Sequence, residues 1–165
     1  MALESLKTLY VEQLRDLMDA EKQILKALPT MAKKSSHPGL KSAFQQHEAQ
    51  TKTHVQRLDQ IFQQLGQSSS GPACEGMKGI IAEGESMLKE HRDPDVLDAA
   101  LIASAQRVEH YEIAGYGCVR TYANELGFPE QADLLQRTLN EEGSTDHKLT
   151  QIAEEVVNAH AMSPA

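Results

Sequence analysis

Five carboxylates and two imidazoles stand where amphipathic helices should carry apolar side chains: Glu21, Glu109, Glu112, Glu142 and Asp146, with His47 and His54. At helical spacing, Leu40, Phe44, His47, Thr51, His54, Leu58, Ile61 and Leu65 share one stripe, apolar at both ends and polar in the middle. The same interruption occurs in Leu14, Leu17, Glu21, Leu25, Leu28 and in Leu101, Val108, Glu112, Val119. It occurs again in Leu135, Leu139, Glu142, Asp146, Leu149, Ile152, Val156. An uncompensated carboxylate in a low-dielectric core costs several kcal/mol, so something positive must accompany these groups. Protonation relieves part of the charge, but no Lys or Arg falls on the stripes, and two divalent cations would offset four of the five carboxylates. Carboxylate and imidazole donors on facing helices suit iron first, then manganese, and zinc accepts the same set. Taken singly, each residue also reads as a surface break or a hydrogen-bonded core group. Their coincidence on four segments favours two metal ions.

Four long segments must position these groups: residues 3–34, 38–65, 93–126 and 129–161, each with helical periodicity. Ser35-Ser36-His37-Pro38-Gly39 separates the first two, and Gly127-Phe128-Pro129 the last two. Connections this short make each pair an antiparallel hairpin. Residues 66–92 form a long crossover, a Gly/Ser-rich run followed by a short amphipathic helix near 77–90 with Met77, Ile80, Ile81, Met87 and Leu88. Two hairpins joined by one long crossover make an all-α, ferritin-like four-helix bundle, a single domain over residues 1–165. Counted from the hairpin loops, Glu21 and Glu112 lie about fifteen residues before their loops, and Gln50 and Glu142 about fourteen after, so all four share one height. His47, His54, Glu109 and Asp146 lie within about one turn of it. Pro29 is expected to kink the first helix or split off its last turn, because it lacks the helical donor. Tyr111 reads as a packing residue, while Arg107, His110 and His147 fall a step off the stripes.

The composition limits the function. The charge of −8, from 24 acids and 16 bases, opposes binding to nucleic acid or an anionic membrane. With 40% hydrophobic but only 4% aromatic residues, the chain suits a helical core. Met-Ala-Leu-Glu-Ser-Leu-Lys lacks a basic, then apolar leader, and no stretch approaches the roughly 20 apolar residues that span a bilayer. These features read as a soluble cytoplasmic protein. Cys74 and Cys118 have neither metal-binding nor redox spacing.

The segment Ala20-Glu21-Lys22-Gln23, the string from Gln106 through Val108-Glu109-His110-Tyr111-Glu112-Ile113-Ala114 to Gly117, and Leu139-Asn140-Glu141-Glu142 with Asp146 and Leu149-Thr150 resemble the YciF-like family of ferritin-like proteins. The resemblance spans nearly the whole chain. It implies a dinuclear metal centre, a homodimer and an association with bacterial stress responses. By that resemblance Glu21, Glu109, Glu112 and Glu142 are metal-site glutamates, and His47 and Asp146 are further polar core positions. The second helix departs from the family pattern: Gln50-Thr51 stands where relatives often carry Glu-Thr, and His54 where Gln is frequent. Gln50 and His54 share a face, so the imidazole is expected to take over the missing carboxylate's coordination. The Glu-x-x-His pair of the wider superfamily is absent. The expected function is a di-iron or iron/manganese stress protein that reacts with dioxygen or hydrogen peroxide or oxidises ferrous ion, an oxidoreductase whose partners are metal ions and small oxidants. The alternative is a non-catalytic, metal-stabilised structural or adaptor dimer.

Overall fold

The computed structural model describes residues 4–90 and 93–162. The expected helix start at residue 3 and crossover positions 91 and 92 lie outside that range. Among the described residues every regular element is helical: α1 (Leu6–Lys34), α2 (Pro38–Leu65), the crossover helix α3 (Glu75–Glu90), α4 (Pro94–Glu125) and α5 (Pro129–Ile152). A π-helical turn, Ala153–Val157, and a last turn, α6 (Asn158–Ala161), extend α5. Helix α1 packs on α2 and α4 on α5, while α1 meets α4 and α2 meets α5. This closes a four-helix ring, with α3 lying against α4 and α1.

Local chemistry places the boundaries. The Ser5 hydroxyl caps α1 by accepting from the Thr8 N–H, and Asp93 caps α4 by accepting from Asp95 and Val96. Prolines at the first turns of α2, α4 and α5 sit where a missing N–H costs nothing. Gly66 ends α2 at φ 62° and Gly127 follows α4 at φ 76°, left-handed conformations that glycine adopts without a Cβ clash.

Two details differ from expectation: the last turn of the first helix is not split off, and Val157 rather than Val156 is buried. Helix α1 runs through Pro29 to Lys34 without losing its last turn. Pro29 is exposed, on the side of α1 away from the core, while Leu28 and Ala32 keep the end of the helix on the core. The fourth long helix is not α-helical to residue 161, because the π turn inserts a wide turn after Ile152. That turn shifts the buried stripe by one residue, so Val157 enters the core where Val156 was expected.

The core is two apolar clusters. One includes Tyr10, Leu14, Leu58, Ile61, Val119 and Leu135; the other includes Ile24, Leu28, Phe44, Met77, Leu101 and Leu149. Buried polar ties align the hairpins at both ends. Tyr10 Oη donates to Gln131 Oε1 at 2.9 Å, joining α1 to α5. At the other end the buried Asp98 of α4 accepts the N–H groups of Ser36 (2.9 Å) and His37 (2.7 Å) in the α1–α2 loop. The crossover is tied to α1 through Asp19 Oδ2, which accepts from Cys74 N at 2.7 Å, and through Gln23 Nε2, which donates to Cys74 O at 3.0 Å. Gly115 lets α4 approach α1, since a Cβ there would lie 2.7 Å from Leu17 Cδ2.

Asp98→Ala strands the two loop donors and is expected to lower the unfolding free energy by roughly 2–3 kcal/mol. Urea denaturation of Asp98→Ala against wild type checks this, with no change as the contrary outcome.

Candidate metal centre

Between the two apolar clusters lies a slab of six charged or ionisable side chains: Glu21 from α1, His47 and His54 from α2, Glu109 and Glu112 from α4, and Glu142 from α5. None is more than 2% exposed. Their donor atoms form two groups. His47, Glu109, Glu112 and Glu142 make one; Glu21, His54 and Glu142 make the other, each with all donors within 4.8 Å of one another. Glu142 belongs to both, the arrangement of a carboxylate that could bridge two ions.

His47 Nε2 lies 3.2 Å from Glu109 Oε1 and 4.0 Å from Glu142 Oε2. His54 Nδ1 lies 2.9 Å from Glu142 Oε1 and 3.4 Å from Glu21 Oε1. Proximity does not become hydrogen bonding. Both nitrogens of His47, Nδ1 of His54, both oxygens of Glu112 and of Glu142, and one oxygen each of Glu21 and Glu109 are buried without a partner. Native cores leave few such atoms, and stranding this many in one place costs more than a fold retains without compensation. Cations would take up a donor atom from each of these residues, so the residues fit a two-metal site.

The surrounding contacts orient the donors. His54 Nε2 lies 2.8 Å from Glu141 Oε2, and Glu141 is held by Arg57 through paired contacts of 2.7 and 2.9 Å. A carboxylate on one imidazole nitrogen fixes the ring and turns the other nitrogen toward the slab, the usual support of a metal-binding histidine. Tyr116 Oη donates to Glu21 Oε1 and leaves Oε2 facing inward.

Electrostatics follow from this crowding. Burial, then the Glu142 charge, pushes the Glu109 carboxyl well above the usual range. Burial, then Glu21 and Glu142, does the same to Glu112. Burial would lower His54, but Glu142 and Glu21 outweigh it and push the imidazole up to about 10. His47 is lowered, chiefly by burial. Glu142 goes below the usual range although burial alone would raise it, because the His54 contact prevails.

The structure brings Glu21, His47, His54, Glu109, Glu112 and Glu142 together, with Gln50 beside His47 and Asp146 in neither donor group. Gln50 is partly exposed, with Thr145 Oγ1 donating to its Oε1 at 3.5 Å. Asp146 faces Gln106 Nε2 at 3.2 Å and the exposed His110 at 3.3 Å. Both border the slab, Gln50 about 60° round α2 from His47, whose imidazole it touches, and Asp146 about 40° round α5 from Glu142, with its charge acting on Glu109. Sequence reasoning missed Glu141, Arg57 and Tyr116. The signals available were Arg57 three residues beyond His54 and a second glutamate beside Glu142.

A family model described as "Domain of unknown function (DUF892)" matches residues 5–162. The chain belongs to this family. It is 38% identical to Protein YciF of Escherichia coli (strain K12), over 100% of both chains. Among solved structures, that of the E. coli stress protein YciF superposes with a TM-score of 0.90 at 38% identity, over 94% of this chain and 98% of that one. YcfI of Rhodopseudomonas palustris gives 0.89 at 40% identity, over 92% and 96%. A protein from Xanthomonas campestris, 21% identical, shares the DUF892 chain's fold with a TM-score of 0.76. The expected YciF-like membership and all-helical bundle therefore hold.

The raised groups set a pH signature. The stability His54 gives the metal-free protein is complete below its usual 6.5 and is lost as pH rises toward 10. Glu109 and Glu112 act in the same direction from 4.5 upward. Metal-free protein should therefore lose melting temperature between pH 6.5 and 10, while metal, which displaces those protons, should stabilise it increasingly. Calorimetric melts with and without metal check this; a metal-induced gain that shrinks with rising pH contradicts it.

Proposed function

We propose that this chain is a dinuclear metal protein of the bacterial stress response, holding iron first or manganese, and that it reacts with dioxygen or hydrogen peroxide or oxidises ferrous ion. The observation that carries this reading is the shared position of Glu142 between two buried donor groups. His47, Glu109, Glu112 and Glu142 would hold one ion, and Glu21, His54 and Glu142 the other. Such a pair supplies redox equivalents and open positions for a small oxidant. The protein's own groups do the rest. Four glutamates favour the more oxidised metal through their charge. Glu141 and Arg57 hold His54, and the apolar clusters on either side exclude water from the reacting atoms.

The description of the E. coli relative as a stress protein supports the cellular setting. A homodimer acting in the cytoplasm completes the reading; among the described residues no helix is long and apolar enough to cross a membrane. His54 as the replacement for the carboxylate missing at Gln50 is supported by its Nδ1, which is directed at the slab.

A second reading, a metal-stabilised structural or adaptor dimer without turnover, is favoured by the description of YcfI as a candidate structural protein. The two separate cleanly. Anaerobic loading with ferrous ion followed by peroxide or oxygen should give a rapid absorbance change and stoichiometric oxidant consumption. Glu142→Ala should reduce the rate by more than the roughly 10–100-fold cost of losing a group that only supports a metal ligand. Thermal stabilisation by metal with no oxidant consumed selects the structural reading instead.

A further inference from the structure

The slab is closed to solvent except at one end. The side chains of Glu21, His54 and Glu142 are 0% exposed, and Glu112 is likewise fully buried. Only His47 and Glu109 show any side-chain surface, 3% and 2%. An ion therefore enters past these two, and three surfaces lead there. The space between α1, α3 and α4 reaches His47 past Ile24, Leu28, Ile81 and Leu101, apolar walls that give a cation nothing in exchange for its water. Along the α2–α5 seam Gln50 borders His47, but Lys148 Nζ stands one turn away, donating to Gln46 Oε1 at 2.6 Å, and repels a cation. The α4–α5 seam has the opposite charge. There His110 Nε2 lies 3.3 Å from Asp146 Oδ1, with side-chain exposures of 68% and 21%. Gln106 Nε2 donates to the same Oδ1 at 3.2 Å and to Thr150 Oγ1 at 2.8 Å, which fixes the carboxylate and leaves Oδ2 uncommitted. Beneath it lies Glu109, whose Oε2 is buried without a partner and on which the Asp146 charge acts.

We propose that His110 and Asp146 form an outer site for a divalent cation, from which the ion passes to Glu109 and into the candidate metal centre. This path rests on the metal-binding reading above. Exposure falls from His110 through Asp146 to Glu109, so the water an ion sheds along the way is replaced by nitrogen and oxygen donors. An ion at the outer site also relieves the repulsion between the Asp146 and Glu109 carboxylates. An imidazole with a carboxylate suits ferrous, manganous and cobaltous ions alike, so the outer site selects for charge and not for one metal.

Stopped-flow loading of the metal-free full chain with cobalt, followed by the visible band of the bound ion, reads the entry rate. Transfer of the ion to a chelator reads its release. Asp146→Asn keeps the shape of the side chain and removes its charge. It should slow loading at least about fivefold at an ionic strength of about 0.01 M, with a smaller difference at about 0.15 M, and release should be no faster. His110→Ala, at an exposed position that no core contact depends on, should slow loading too. At the higher ionic strength, where distant charges are screened, Lys148→Gln should load at the wild-type rate. Circular dichroism at wild-type intensity establishes that the variants are folded. Equal loading by wild type and both α4–α5 variants overturns the proposal, as does acceleration by Lys148→Gln, which puts entry at the α2–α5 seam. Slower loading with faster release by Asp146→Asn also overturns it, because Asp146 then belongs to the surroundings of the bound ion. Those outcomes leave the centre standing, whereas wild-type protein that takes up no cobalt overturns the path and the metal reading together.

Discussion

Glu142 projects from α5 into the middle of a core that water does not reach, and it faces Glu21 with His54 on one side and Glu109, Glu112 and His47 on the other. Four carboxylates against two imidazoles leave a surplus of negative charge, and among the described residues no lysine or arginine pairs with any of the six. Without metal, protons must carry the balance, which is why Glu109 and Glu112 are held well above their usual range and His54 holds its proton to about 10. Each proton relieves charge but leaves donors and acceptors unmatched. Cations in the same space would meet charge and coordination together.

The rest of the fold makes this crowding tolerable. Apolar clusters above and below supply the burial free energy that the polar slab consumes. Asp98 and the Tyr10–Gln131 pair, at opposite ends of the bundle, hold the hairpins at one height, so glutamates from three helices meet in a single layer. Arg57 and Glu141 stand at the edge, where partial exposure makes their pairing less costly than it would be inside. They reach into the slab only through the far nitrogen of His54.

Much of this was legible because helical periodicity is local. A residue's face and height follow from counting along its own helix, and Glu21, His47, His54, Glu109, Glu112 and Glu142 all emerged from interrupted stripes. Counting is weaker on rotation across a seam. Gln50 and Asp146 share the height but border the slab, Gln50 beside His47, while they hydrogen-bond with Thr145 and Gln106. Glu141 was hidden for the converse reason: it lies about 100° off the stripe of Glu142, and only the three-dimensional meeting of α2 with α5 brings it to His54. The π turn at Ala153–Val157 was invisible because Val156 and Val157 are equally apolar, and packing chose between them.

The most direct test is anomalous diffraction from crystals of the protein loaded with manganese or iron. Two peaks should appear, both within bonding distance of Glu142, one shared with His47, Glu109 and Glu112 and the other with Glu21 and His54. A loaded crystal with no peak in the slab, or with both ions on surface carboxylates, would contradict the account. A peak pair that leaves His54 beyond bonding distance would remove its role as the replacement for the missing helix α2 carboxylate.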